Sequence, residues 1–584
     1  MVSKKSVAAV LLLAVTLLAV IATAGCVNTE QTGTADTLFL GNVITMDDAN
    51  PMAEAVAVKD GIIIFVGSEK YAKAFCDENT EIIDYGEYSI YPGFLEAHAH
   101  VSLAGVREYG MAKLTLLVPL KQTLEEMQAY ILKNPGKEYY YGSGWSFTGE
   151  EPTAAMLDTV CPDVPVILNT MDGHSVWVNS KALEILNYTP EEIKEMGPAE
   201  IRVNADGNPT GYMSEKPAID IINNLPFTVE ELKECTLKFQ EDVLSKGFTG
   251  LCDAGIELCG PKQIQVYDEL AKEGKLKLRI YGLSLVNDNT DTPEEDIARI
   301  ADLAQKFNSE YFKIIGAKVF MDGVIEAHTA WMLDEYKDQA GYYGVKRFDD
   351  VEKLSRLITA ADKYGLLVHC HSVGDAASRT FADAVEKSIA KTGNYDQRNA
   401  AAHLQHIKPE DIKRFGELGI VAVSGYQWCP NNTDEYTVDE QFVGAEYAKK
   451  GYPAKSFINA GAVVVAHTDY PITPVLNIPH AVCLGVTRTG PVFYHNEGAC
   501  GMEEAMTREE TLESMTTNVA YMWHEEDRMG SLETGKLANM AVFVVDFLND
   551  DINAISDAAN VPVVETIVDG KVVYQADEDT VKAA

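Results

Sequence analysis

Basic residues are scarce in this chain. Across 584 residues, 48 Lys and Arg stand against 88 Asp and Glu, a net charge of −40 at neutral pH. Such a surface offers no electrostatic footprint for nucleic acid. An acidic exterior meeting a salty medium accounts for the balance. Regular cysteine spacing is also missing. The ten cysteines include no Cys-x-x-Cys, which excludes a zinc-finger or dithiol redox framework. Cys252 and Cys259 lie close enough in sequence to pair, and most of the others read as buried free thiols. The one long apolar run is Val7 to Ile21, preceded by Lys4 and Lys5 and followed by Gly25-Cys26. That is the pattern of a secretory signal, residues 1–25, ending at a lipidated cysteine. The expectation is export, with Cys26 anchoring the mature chain to the outer face of the cell membrane. An uncleaved N-terminal span would tether it equally. Residues 26–35 then read as a short tether.

What is present is first a matter of texture. Residues 36–90 and 530–580 both read as short strands, with Asp60-Gly61 and Asp569-Gly570 as hairpin signals. Two such ends predict one composite β-sandwich with the middle of the chain inserted. The middle, 91–529, alternates strands and helices, the pattern of a parallel α/β fold. Eight strand candidates fall at 90–98, 248–253, 277–284, 312–320, 366–371, 400–405, 420–425 and 462–468. Eight β/α units predict a TIM barrel, whose site lies at the C-terminal ends of the strands. Residues 104–240 are too long for one connection and read as an inserted lid subdomain.

The chemistry gathers at those strand ends. Tyr91-Pro-Gly-Phe-Leu-Glu-Ala-His98-Ala-His100 puts two histidines two residues apart, on one face of a strand. Neutral imidazoles converging on a point suit a divalent metal. Of 12 histidines, seven lie at predicted strand ends: His98, His100, His369, His371, His403, His406 and His467. Lys318 sits mid-strand among apolar neighbours, where the alternatives are modification beside a metal or pairing with an acid such as Asp322. The turn after His371 favours it over His369 as the residue facing the metal. His403 and His406 are an odd number apart, so on a regular strand they face opposite sides and one of them is a packed histidine. In the insert, His174 is the best candidate to contact substrate, with Trp145 beside it; Trp145 and Trp177 read equally well as packing for the insert's own core.

Eight motifs occur in order: Pro92 to His100, Asp172 to Ser180, Asp206 to Gly211, Lys318 to Gly323, His371 to Asp375, Gln405-His406, Asp469-Tyr-Pro471 and Gly530 to Ala538. Together they resemble the amidohydrolase superfamily, and within it amidohydrolase family 3, the YtcJ-like proteins that include N-substituted formamide deformylases. The resemblance covers residues 36–575. It implies that His98 and His100 hold one metal, and His371 and His406 the other. Lys318 would bridge as a carboxylated lysine, and Asp469 would bind metal and shuttle protons. One or two divalent ions, zinc foremost, are expected as cofactors.

A divalent ion lowers the pKa of a bound water and polarises a carbonyl, so the implied reaction is hydrolysis of a carbon–nitrogen bond other than a peptide bond. The substrate is expected to be a small linear or N-substituted amide. Two other readings keep the same residues: an esterase, lactonase or phosphoesterase, and a non-catalytic metal- or solute-binding surface lipoprotein. Asp469 argues against the last, because binding alone needs no proton shuttle. Two departures from the family pattern flank the expected pocket: His467-Thr468 stands for Gly-Ser, and Tyr426-Gln-Trp-Cys429-Pro430 for Gln-Pro-x-His. Substrate choice therefore does not transfer from relatives.

Overall fold

Asp-Gly pairs turn a hairpin near each end of the chain. Asp60 and Gly61 both have positive φ, as do Asp569 and Gly570, the backbone that a two-residue hairpin turn requires. The first pair joins Met52–Lys59 to Ile62–Gly67, the second Val563–Val568 to Lys571–Gln575. With Thr37–Ile44, Glu81–Pro92 and Met540–Phe543 these strands form one seven-stranded sheet drawn from both ends of the chain. The computed structural model describes residues 33–146, 151–170, 175–197, 200–287, 290–429, 439–473, 475–489, 501–557 and 563–583. The signal and Cys26 lie outside that range.

Gly93 carries the chain from this sheet into a barrel. A Cβ there would meet the Thr249 side chain at 2.3 Å, so any larger residue would have to displace that side chain. The sequence pattern runs the first barrel strand back to Ile90. In the structure, however, Ser89 to Pro92 pair with Met540–Phe543 in the terminal sheet, and the barrel begins one residue past the glycine.

The barrel strands are β1 (Phe94–Ala99), β2 (Phe248–Ala254), β3 (Arg279–Leu285), β4 (Phe312–Phe320), β5 (Leu367–Ser372), β6 (Ala400–His403), β7 (Val421–Ser424) and β8 (Val464–Ala466). All eight lie in one sheet in sequential order, and their ladders are parallel. The expected TIM barrel is therefore present. β8 closes toward β1 through a few bonds: Asp469 N–H donates to the His98 carbonyl at 3.0 Å, and His100 N–H to the Tyr470 carbonyl at 2.8 Å. The buried Glu96 carboxylate bridges the same seam, accepting from the backbone N–H groups of His98 (2.9 Å) and Thr468 (3.1 Å).

Helices cover the outside by amphipathic spacing. Val351–Asp362 shows the logic: Asp350 caps its first turn by accepting from Glu352 and Lys353 N–H, and Leu354, Leu357, Ile358 and Ala361 form its buried stripe. Between β1 and β2 lies a separate six-stranded sheet, its strands spanning residues 112–214.

The barrel interior has two tiers. In the lower one Leu95, Ala97, Cys252, Tyr281, Leu283, Leu367, Ala402, Val423 and Val465 pack together, closed below by Val519, Met522 and Trp523. Cys252 is part of this core and Cys259 is separate, so both are free thiols, as are all eight described cysteines. Among the described residues no helix is long and apolar enough to cross a membrane.

Candidate active site

The upper tier is polar. β1 delivers His98 and His100, but not by simple alternation. Leu251 and Asp253 on β2 face Glu96 and Ala99 on β1, two steps against three, so β1 bulges at Ala97-His98. A bulge lets neighbouring residues face the same side: Ala97 joins the apolar tier, and the His98 ring lies among His369, His403 and His467 at centroid distances of 4.8, 5.1 and 5.3 Å. His98 Nδ1 and His369 Nε2 share a hydrogen bond of 2.7 Å, which leaves His98 Nε2 for the centre of the site.

Asp469 meets that nitrogen. Its Oδ1 is 3.2 Å from His98 Nε2 and 3.2 Å from His100 Nε2, yet it forms no hydrogen bond of acceptable geometry. The three donor atoms lie within 4.8 Å of one another, and all three residues are buried. Lone pairs converging with no proton between them fit a divalent cation. Burial opposes ionisation of Asp469, but the His100 ring beside it outweighs burial and holds the carboxyl below its ordinary range. Burial, with the charge of Lys318, pushes His98 and His369 down. Burial and His371 do the same to His403. These rings are therefore neutral, the form that ligates metal.

Lys318 points into the same chamber, its Nζ 3.4 Å from His98 Nε2 and fully buried. Burial pushes its ammonium down to about 8. Asp322 is not its partner. Asp322 instead takes His371 Nδ1 at 2.9 Å, Val373 N–H and Gly374 N–H on β5's exit turn, and Trp331 N–H. That carboxylate fixes the His371 ring and its tautomer, the role that acids commonly play behind ligating histidines.

The partner of His371 differs from the one expected. Its ring sits 4.4 Å from His403, not beside His406. Ala400 and Ala402 face the interior core, so alternation would turn His403 outward. Positive φ at His403 and Leu404 ends the strand there and swings the His403 ring back inside. The ring also contacts His467 at 5.0 Å. His406, three residues on, stacks against Tyr447 at 4.9 Å, with Nε2 3.5 Å from Asp439. Trp145 is likewise elsewhere: fully buried, it packs against Trp177 at 5.3 Å in the core of the six-stranded unit. His174 lies outside the described residues.

The model of the amidohydrolase family matches residues 81–574. This chain belongs to the amidohydrolase family. It is 28% identical over 549 residues to protein LONG AFTER FAR-RED 3 of Arabidopsis thaliana, covering 91% of this chain and 90% of that one. It is 25% identical to N-substituted formamide deformylase of Arthrobacter pascens, over 91% of this chain and 97% of the relative. Among solved structures, a metal-dependent hydrolase from Pyrococcus horikoshii superposes with a TM-score of 0.74 at 22% identity, covering 88% of this chain and 99% of the other. That likeness is one of fold.

Histidines 369, 403 and 467 and the acid Asp322 enter the site on structural grounds. Their signal in the sequence is position at a strand end, which marks a residue for the mouth of the barrel without saying which way it turns.

Proposed function

We propose that this member of the family hydrolyses carbon–nitrogen bonds other than peptide bonds, in linear or N-substituted amides, at a centre of one or two divalent ions, zinc foremost. The observation that carries the reading is the convergence of His98 Nε2 and His100 Nε2 on Asp469 Oδ1 in a buried chamber. These three would hold one ion. His371 and His403 would hold the second, in place of the His371–His406 pair. Lys318, carboxylated on Nζ, would bridge them; an amine lowered to about 8 is partly neutral at working pH and open to carbon dioxide.

When bound, such ions polarise the scissile carbonyl and acidify a water in the site. The chain's residues do the rest. Asp469, kept ionised, takes a proton from the attacking water on its second carboxylate oxygen, Oδ2, and returns it to the departing nitrogen, so the products are a carboxylic acid and an amine. Asp322 and His369 hold the His371 and His98 rings in the orientation that leaves one nitrogen of each for the centre. The amide preference draws on the similarity to a protein named N-substituted formamide deformylase, together with this donor set. Export and lipid attachment at Cys26 belong to the same proposal. A diacylglyceryl mass on Cys26 checks the attachment, and an unmodified Cys26 in membrane-derived protein contradicts it.

The deciding experiment is a screen of metal-loaded enzyme against N-formyl and N-acyl amines, cyclic amides, esters and phosphoesters. Amine release is the expected result. Turnover confined to esters or phosphoesters would overturn the amide assignment.

A further inference from the structure

Two aromatic rings flank the buried cluster without belonging to any core. Trp428, just past β7, lies parallel to the His403 ring, 5.4 Å away at 8°, and meets His467 edge-on at 5.1 Å. Phe320 ends β4; its ring is 5.6 Å from His371, and Lys318 Nζ stands 5.0 Å from its centroid. The ring contacts thus run Trp428–His403–His371–Phe320, with an aromatic wall at each end. Lys318, His403 and His467 are fully buried, whereas both flanking rings are only partly covered. Among the described residues neither packs into the apolar clusters that hold the other large aromatics.

Holding Trp428 in this pose takes a specific bond. Its Nε1 donates to Thr473 Oγ1 in the loop after β8, so the plane is fixed by that bond and by stacking on His403. Phe320 is held by its place at the end of a paired strand. A fixed, partly exposed aromatic ring beside a polar centre offers most to a ligand that is itself flat and weakly hydrated. A flexible aliphatic ligand gains apolar contact there but no ring-on-ring term.

We propose that Trp428 and Phe320 are specificity-determining residues that select substrates carrying an unsaturated, planar ring next to the bond being hydrolysed. The proposal rests on the hydrolase reading above for the bond that is cut, but not for the ring that is bound. The two can fail separately.

The test uses two matched amides, the N-formyl derivatives of 2-phenylethylamine and 2-cyclohexylethylamine, and the two free amines as non-reacting ligands. Hydrolysis is followed by kcat/KM and amine binding by calorimetry, on the metal-loaded full chain. The wild type is expected to favour the phenyl compound over the cyclohexyl one by roughly 3- to 10-fold for each wall, in both assays. Trp428→Ala and Phe320→Leu should each reduce that ratio toward one, and Trp428→Phe should keep part of it. Metal content is measured on every variant. If Trp428→Ala loses metal because His403 is no longer supported, Phe320→Leu and Trp428→Phe decide the outcome. Equal treatment of the two rings by the wild type, or a preference that survives both Phe320→Leu and any metal-replete Trp428 variant, overturns the proposal. Phenyl-selective binding of the amine that weakens in the variants sustains it even if neither amide is hydrolysed, a result that would count against the amide reading alone.

Discussion

The lower and upper tiers of the barrel are built from the same strands a few residues apart, and they have opposite chemistry. Below, Leu95, Leu283, Leu367 and Val423 fill the space in apolar contact, with Tyr281 stacked on Trp523 at 4.2 Å. Above, both ring nitrogens of His403 and His467 are buried without a hydrogen-bond partner. Burying an unpaired polar group costs roughly 1–3 kcal/mol. The lower tier thus supplies stability, and the upper tier spends some of it to hold donors ready. Changes below should therefore cost folding and spare chemistry, while changes above should do the reverse.

The largest effect should come from Asp469→Asn. It removes the proton acceptor but keeps an oxygen for the metal, and kcat should fall by roughly 10²–10⁴-fold with most metal retained; unchanged turnover would end its assigned role. Leu283→Ala sharpens the contrast from the other side. It should destabilise by about 2–5 kcal/mol, lowering the melting temperature while the activity of the folded fraction holds. A selective loss of kcat would show that the tiers are not separate.

The pair His403 and His406 divides the upper tier itself. His403→Ala should reduce metal stoichiometry and activity together, whereas His406→Ala, which alters a stacking contact with Tyr447, should leave stoichiometry unchanged. The reverse result would restore the pairing of His371 with His406.

A smaller effect is expected from pH and bicarbonate at Lys318. Burial lowers its pKa from 10.5 to about 8, so protonation is disfavoured and the neutral amine dominates above that pH. At pH 7 about a tenth is neutral. Metal occupancy and kcat/KM should rise as pH climbs through about 8 at fixed bicarbonate. Below 8 they should rise several-fold with added bicarbonate, and Lys318→Met should respond to neither. In stability terms the depressed pKa is a cost, fully present below about 8 and gone above 10.5.

Much of this contrast is legible in the sequence. The eight strands are visible because each is a short apolar run ended by polar or small residues, and the Asp-Gly turns announce both hairpins. His98, His100, Lys318 and Asp469 are legible because a strand end is a reliable address in a parallel barrel. Direction at that address is not. Choosing between His403 and His406 needs the positive φ at His403 and Leu404, a local break in alternation that no periodicity encodes. Asp322 reads as a partner for Lys318 because both lie on the same exit from β4; the turn after β5 captures it instead. Trp145 shows only size and aromaticity, which serve a core and a pocket equally.

The central claim is that His98, His100 and Asp469 are a metal centre, and metal analysis tests it most directly. Purified wild-type protein should carry one or two divalent ions per chain. The His98→Ala/His100→Ala variant, folded by circular dichroism, should lose at least one of them along with activity. A wild-type protein that hydrolyses its substrate after complete removal of metal, or a double variant that keeps the full complement of ions, would contradict the account.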